Sequence, residues 1–585
     1  MSDFLFINKK IQKDNVERVL LKINSDYKEV YTFSSEKATL CMVKNHYNGF
    51  DVYENEDHVL GVIGGPILNY SVNSFITIKN NNEGSKLIYK RWIKEKQMEW
   101  DEDLSGPFVI ILFNKKTSEL RVVTDMLSFI PVYHFDKNDT TVVSTHIEMF
   151  DSVGEFPLDL SSMAEFITHE VVTFPFTVLK DVYQLNSATL YVLNSNFNEK
   201  DTYWIPKENK EDDLGQLSKE LKNSFQRYIS KILEAKPKLA SFLSGGEDSR
   251  VIASSIPKEY PIDSYLFTDS HNIETEIAAK VAKSVNANLK IHLREKTHYW
   301  EMMPNCVDLI GANGDFAHVH TYGFHKTCNF ENYDVILGGF LSDTLLKGHH
   351  IKKKKRNQLL SFLPLKDKKA DTTIKKESAG ILSSIKPKYI EIANQRRKKR
   401  ADEVASIRKE SFVEWFNIYP ITMHNDVPNI WGNRRLFRSF EPFTDSKIVK
   451  IAAKCPQQYK LNKKLFYAAM KDLYKPTKWI FHNDDYLPSL PYVINKPISF
   501  FRKAYFKIIR MLLRKERNKG SWSNWNNLIS LDYTKDLEQK YSNKLLENIG
   551  ELFVYDEKIE IINNPNFSTR QKRLLIQLGY FFSKK

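Results

Sequence analysis

Cysteine is scarce in this sequence: Cys41, Cys306, Cys328 and Cys455 are the only four, far apart and in no C-x-x-C pair. That spacing argues against a zinc site or a disulfide framework and leaves buried free thiols. No apolar run approaches the ~20 residues that cross a bilayer. The opening residues, Met1-Ser2-Asp3-Phe4, lack the basic and apolar regions of a secretory signal, so a cytoplasmic protein is expected. There is no G-x-x-x-x-G-K-[ST] loop and no G-x-G-x-x-G opening a helix after a strand, which removes support from kinase-like and dehydrogenase-like readings. Excess charge is absent outside one segment. Residues 351–400 hold 17 Lys or Arg against 4 Asp or Glu, which accounts for +13 of the formal +14. With the remainder near neutral and no recognition motif, nucleic acid is not an expected partner.

The composition that remains is globular, with 42% hydrophobic and 27% charged residues in 585, enough apolar material for two large domains. Short β-rich runs separated by turn signals fill the first 200 residues: Val59 to Ile63, Ser74 to Ile78, Phe108 to Phe113, Leu120 to Thr124, Thr140 to Ser144 and Ala188 to Leu193. They predict an antiparallel two-sheet domain over residues 1–205. A polar stretch after Trp204 and a helical pattern over Leu217 to Ile232 place the boundary there. From Leu239 strands alternate with helices, which predicts a parallel sheet in the domain 206–585, and the chain beyond Phe412 reads mostly helical.

The sharpest signal follows the apolar run Leu239 to Phe242: Leu243-Ser244-Gly245-Gly246-Glu247-Asp248-Ser249-Arg250, with a helix expected next. Two glycines let backbone amides curl toward an anion, and the helix start adds unpaired N–H donors; Ser244 and Ser249 add hydroxyls. Asp248 beside phosphates makes sense if it holds Mg²⁺, so the loop points to ATP with magnesium. A bare turn is the alternative, and the flanking strand and helix favour the phosphate loop.

Ser244-Gly245-Gly246-x-Asp248-Ser249 resembles the pyrophosphate loop of ATP-pyrophosphatase enzymes, and further matches narrow the resemblance to the asparagine synthetase family. Val335 to Thr344 stands where that family has a strand ending in Ser-Gly-Glu-Gly-x-Asp-Glu, which implies Asp343 as the second magnesium ligand beside Asp248. Leu104-Ser105-Gly106-Pro107-Phe108, Asp125-x-x-Ser128-Phe129-Ile130-Pro131-Val132-Tyr133 and Tyr203-Trp204 resemble signatures of its amino-terminal amidotransferase domain. Glu274 with Ala278 and Ala282, and Glu441-Pro442-Phe443-Thr444-Asp445, continue the match in order. The implied fold is a degenerate N-terminal-nucleophile antiparallel sandwich, then an adenine-nucleotide α-hydrolase-like parallel-sheet domain with a helical end. The implied chemistry is adenylation of a carboxylate by ATP, then amide formation. Pyrophosphate would rest on Ser244 to Gly246 and adenosine near Leu243, Phe267 and Gly339.

The departures redirect that reading. Ser2 stands where the family's glutaminase has its amino-terminal cysteine. Gly64 replaces the Asn that holds glutamine, so glutaminase activity is expected to be lost. Phe340 replaces a Glu near the incoming nitrogen, which disfavours ordinary asparagine formation. The combination resembles the branch that makes intramolecular amides, namely β-lactam and carbapenam synthetases and lasso peptide cyclases. A small-molecule or peptide carboxylate is the expected substrate, with a protein that delivers a precursor peptide as a partner. No family lysine can be placed around Trp479 to Asp485; His482, Lys475 and Lys478 are the candidates to replace it. An asparagine synthetase using free ammonia and an inactive ATP-binding scaffold stay open, and a tRNA-modifying relative lacks its cysteine pair. The basic block 350–400 is expected to be a mobile, solvated insertion near the site. The basic, apolar segment Ile498 to Arg514 could touch a membrane but is expected to pack on the core.

Overall fold

A computed structural model of the chain describes residues 1–584 apart from 25–26, 28, 45–49, 72–80, 194–196, 210–212, 353–378, 514–519, 521 and 555–559. The expected strand Ser74 to Ile78 lies outside the described residues.

Alternation of side chains builds the first half. In the strand Phe108–Asn114, Val109, Ile111 and Phe113 enter a core between two sheets, while Phe108, Ile110 and Leu112 enter a second core with Phe50, Ile88 and Trp100. The two sheets have six strands each, antiparallel throughout. The one containing Phe108–Asn114 also holds His58–Gly64, Leu120–Thr124 and Thr189–Leu193, close to the expected runs. The other is centred on Asp3–Ile7 and Thr39–Lys44, which sequence patterning did not single out. Both are buried along their length except at Lys44, so neither shows a polar alternate face.

A capped helix, Leu214–Glu234, with Asp213 accepting from the amides of Gly215 and Gln216, leads to a five-stranded parallel sheet. Its spatial order is Asn288–Leu293, Ile262–Thr268, Leu239–Phe242, Val335–Leu337, Ser439–Phe440. The chain begins in the middle, winds to one edge, then returns to build the other. The order therefore reverses between Leu239–Phe242 and Val335–Leu337, and ligands of open α/β sheets bind at that kind of crevice. The remainder is helical except for the short edge strand.

Two expectations need correction. The basic block is not one mobile insertion: its end lies in the helix Pro387–Ile407, where Arg397 is buried against Glu165 at 2.7 Å and Arg396 pairs with Asp159 at 2.9 Å. Carboxylates distant in sequence neutralise those charges, which charge counting along the chain cannot see. The segment from Ile498 lies in the helix Tyr492–Leu513 but does not bury its apolar face: Phe500, Phe501, Tyr505 and Ile508 are exposed. The packed face is instead the one bearing Asn495, Ser499 and Arg502, which bond a neighbouring loop.

The halves are welded together. Asp3 is buried between Arg434 and Arg435, at 3.0 and 2.8 Å, and these guanidiniums hold its carboxyl far below the usual range despite its burial. Trp431 Nε1 donates to the Phe129 carbonyl at 3.1 Å, and Ser105 Oγ donates to Asp445 at 2.9 Å. All four cysteines are buried and free.

Candidate active site

The strand Leu239–Phe242 ends in the glycine loop, and Gly246 opens the helix Glu247–Ser255 with no side chain capping its first amides. Those amides and the helix dipole face the crevice at the sheet's reversal point. Across it, the loop after Val335–Leu337 approaches so closely that a Cβ on Gly339 would sit 2.9 Å from the Cβ of Asp248; glycine is required for that approach.

The crevice opens into a cleft of about 800 Å³. Leu243, Ser244, Asp248, Ser249, Phe267 and Gly339 line it, while Gly245 and Gly246 form the loop between them. The loop's amides donate to acceptors of the protein itself: Ser244 N to Ser249 Oγ at 3.1 Å, Gly245 N to Glu274 Oε1 at 3.3 Å and Gly246 N to Ser244 Oγ at 3.1 Å. One of these acceptors is itself an anion, the Glu274 carboxylate at Gly245 N.

Asp343 stands in an adjoining groove with Lys347 and Lys463, its side chain 62% exposed. What brings Asp248 and Asp343 together is Lys347, which sequence reading missed. Its buried ammonium lies 2.5 Å from Asp248, 3.1 Å from Asp343 and 3.4 Å from Glu247. Against its burial, these carboxylates hold Lys347 charged, its pKa far above normal. Burial raises the Asp248 carboxyl to about 6 although Lys347 opposes the rise. Glu247, also buried, is held at about 2 by Lys347 and by Lys463, which lies 2.7 Å away. The three carboxylates converge on this ammonium, which holds the position between them; among the described residues their oxygens do not lie close enough to one another to form a ready metal group. The signal available was Lys347 four residues after Asp343, one helical turn on.

Of the groups considered for the missing lysine, His482 stacks on Tyr486 with ring centroids 4.4 Å apart and accepts from Asp484 N; burial lowers it to about 4, so it is neutral. Lys475 and Lys478 are exposed, and Lys478 lies over the surface ring of Trp479. Arg250 ties this loop to the glycine-loop helix through the carbonyls of Ile480 and Phe481, at 2.7 and 3.2 Å.

The floor and walls add residues to which the sequence assigned no role. Glu441 is buried beneath Phe340, whose N–H it accepts at 2.8 Å, and burial raises its carboxyl to about 8. Arg294 donates to Asp269 and to the Phe267 carbonyl, between the rings of Tyr299 and Trp522. On the far wall Glu170 meets Arg570 at 2.6 Å and Arg573 at 3.2 Å. Glu170, Asp315 and His318 approach one another closely enough for a metal, but the Arg573 guanidinium already pairs with both carboxylates.

In the first half, Met1 N donates to the Val62 carbonyl at 2.8 Å and Ser2 is buried, its Oγ 3.4 Å from the Val43 carbonyl. Burial lowers the Met1 amine to about 5. Gly64 has φ +84°, and a Cβ there would lie 2.4 Å from the Pro107 carbonyl oxygen, so an asparagine is sterically excluded. Asp125 turns its carboxylate onto the amides of Phe108, Leu127, Phe129 and Ile130.

The asparagine synthase family model matches residues 220–483, and the glutamine amidotransferase domain model matches residues 88–204. A putative asparagine synthetase (glutamine-hydrolyzing) of Methanocaldococcus jannaschii is 20% identical over 434 residues, 71% of this chain and 68% of its own. Among solved structures, an allosteric regulatory enzyme of purine biosynthesis aligns at 9% identity and TM-score 0.25, over 49% of this chain and 80% of that one. Glutamine phosphoribosylpyrophosphate amidotransferase from B. subtilis aligns at 10% identity and TM-score 0.24, over 49% and 65%. With an amidotransferase-like match preceding an asparagine synthase match, the chain is similar in order to asparagine synthetases.

Proposed function

We propose that the protein is an AMP-forming amide ligase that adenylates a carboxylate and passes the acyl group to an amine carried by the substrate. The observation that carries this reading is the glycine loop with Glu247 and Asp248 at the start of its helix, meeting Asp343 from across the sheet's reversal point at Lys347, beside a cleft large enough for a nucleotide and a second substrate. The substrate carboxylate attacks the α-phosphorus, the bond from that phosphorus to the α,β-bridging oxygen breaks and releases the β- and γ-phosphates as pyrophosphate, and the amine then displaces AMP. Backbone amides of Ser244 to Gly246 receive the pyrophosphate. Asp248 and Asp343, with Glu247, would hold magnesium, which neutralises charge on the leaving group. Glu441, buried beneath the cleft, keeps its proton up to about pH 8, so it would accept the proton of the attacking amine only in its ionised form above that pH.

Loss of glutamine hydrolysis is part of the proposal. Support comes from the excluded side chain at Gly64, the serine at position 2 and an amidotransferase match that begins only at residue 88. The acceptor amine then comes with the substrate, as in the branch that closes lactams or cyclises peptides, and a peptide-delivering partner belongs to the same proposal. The alternating charges of Glu170, Arg570 and Arg573 suit a substrate that presents both a carboxylate and an ammonium.

The experiment is pyrophosphate and AMP release from ATP and magnesium, wild type beside Asp248→Ala, with aspartate plus ammonium in one arm and acidic-side-chain peptides with free amino termini in the other. Release with the peptides that vanishes in the variant supports the ligase; release only with aspartate and ammonium replaces it with an asparagine-forming enzyme. One observation favours a second reading, an ATP-binding protein without chemistry: Lys347 sits between Asp248 and Asp343. ATP binding with no pyrophosphate from either arm selects it.

A further inference from the structure

The helix Tyr492–Leu513 carries seven of the fifteen large hydrophobic side chains exposed among the described residues, so its exposed apolar surface is concentrated rather than scattered. At 100° per residue, Val493, Pro497, Phe500, Phe501, Ala504, Ile508 and Met511 fall on one face spanning about a quarter turn, with Ile494 and Tyr505 at its edge. Phe500 is 67% exposed and Phe501 68%. Lys496, Lys503 and Lys507 form a row along one border of that face. No Asp or Glu occurs between Asp485 and Glu516. The helix is about 33 Å long at 1.5 Å per residue, yet among the described residues none is long and apolar enough to cross a membrane.

The opposite face is anchored. Asn495 bonds both the amide and the carbonyl of Leu487, at 2.9 and 2.7 Å, and Ser499 Oγ donates to the Asp484 carbonyl at 3.1 Å. Arg502 lies 3.7 Å from the Phe481 ring centre, beside Asp485. The polar side of the helix therefore faces protein and the apolar side faces out, the reverse of a helix that completes a core.

We propose that this helix docks the protein on an anionic lipid surface, lying in the membrane plane with Phe500, Phe501 and Ile508 among the acyl chains and the lysine row at the headgroups. Charge decides the occupant. An apolar band bordered by cations and free of carboxylates matches negatively charged headgroups, whereas a second copy of this face would set one cationic row near another. The loop Ile480 to Leu487 joins the helix to Arg250 and the glycine loop, so docking fixes the direction in which the active-site region faces the bilayer.

The test is sedimentation of the full chain with vesicles of phosphatidylcholine alone or mixed with phosphatidylglycerol, for wild type, Phe500→Ser/Phe501→Ser and Lys503→Glu/Lys507→Glu. Both pairs are exposed, and unchanged thermal melting checks that the variants fold. Expected is binding to the anionic vesicles only, weakened at least about tenfold by either double variant. Wild type that ignores anionic vesicles overturns the proposal, and so does binding that survives Phe500→Ser/Phe501→Ser. A vesicle-independent dimer, seen by light scattering and lost in the same variant, also overturns it and makes the face a contact between copies. ATP binding is untouched by these variants, so failure here is distinct from failure of the ligase reading.

Discussion

In the amino-terminal half, Ser105 and Asp125 direct their polar atoms into the protein, Ser105 to Asp445 across the boundary and Asp125 to four backbone amides. In the carboxy-terminal half, Asp248, Asp343 and Glu247 converge on the buried ammonium of Lys347 beside an open cleft, with Lys463 also pairing Glu247. Both sets lie in family signatures, yet one set is satisfied by structure and the other forms a cluster of like charges that only a cation stabilises. A signature that persists is therefore not by itself a sign of retained chemistry. The amidotransferase signatures here serve turns and the contact between halves.

Breaking that contact should have the largest effect. Asp3→Ala leaves Arg434 and Arg435 buried without their carboxylate and is expected to cost ~3–5 kcal/mol in denaturant unfolding. A loss below about 1 kcal/mol, at the level of a surface pair, would mean the halves are held elsewhere.

Next comes the cation between the aspartates. Lys347→Met leaves three carboxylates facing one another, so the metal-free protein should melt lower, and Mn²⁺, read by its electron paramagnetic signal, should bind at least about tenfold tighter. Unchanged Mn²⁺ affinity would show that Lys347 does not hold the metal's position.

Glu441 gives a smaller, pH-dependent effect. Its folded carboxyl titrates near 8 against an ordinary value of 4.5, so between those values the folded chain keeps a proton the unfolded chain has released. Its contribution is full below pH 4.5 and is lost as pH rises through about 8. Glu441→Gln should lack that decline; unfolding free energies measured from pH 5 to 9, parallel in wild type and variant, would contradict the assignment.

The smallest effect is expected at Ser2. Ser2→Ala should leave pyrophosphate release unchanged, and neither form should release glutamate from glutamine. Glutamate release by wild type alone would restore a nucleophile to the first half and end the contrast between the two regions.

The glycine loop was legible because its chemistry is local: strand, two glycines, aspartate, serine and helix follow one another within a dozen residues. The strand runs Leu120 to Thr124 and Thr140 to Ser144 were legible for the same reason, as bounded β-branched segments. Asp3–Ile7 and Thr39–Lys44 were not, because strands buried on both faces lose the alternation that marks a half-buried one. The basic segment was misread where Arg396 and Arg397 meet Asp159 and Glu165, partners more than 200 residues away.

Local order along the chain thus determined the family resemblance, the glycine loop and the two kinds of sheet. Tertiary structure alone decided that Lys347 lies among the carboxylates, that Glu441 is buried beneath the cleft and that the Tyr492–Leu513 helix turns its apolar face outward. Charge pairing, desolvation and exposure are properties of neighbours in space, and a sequence orders neighbours only along the chain.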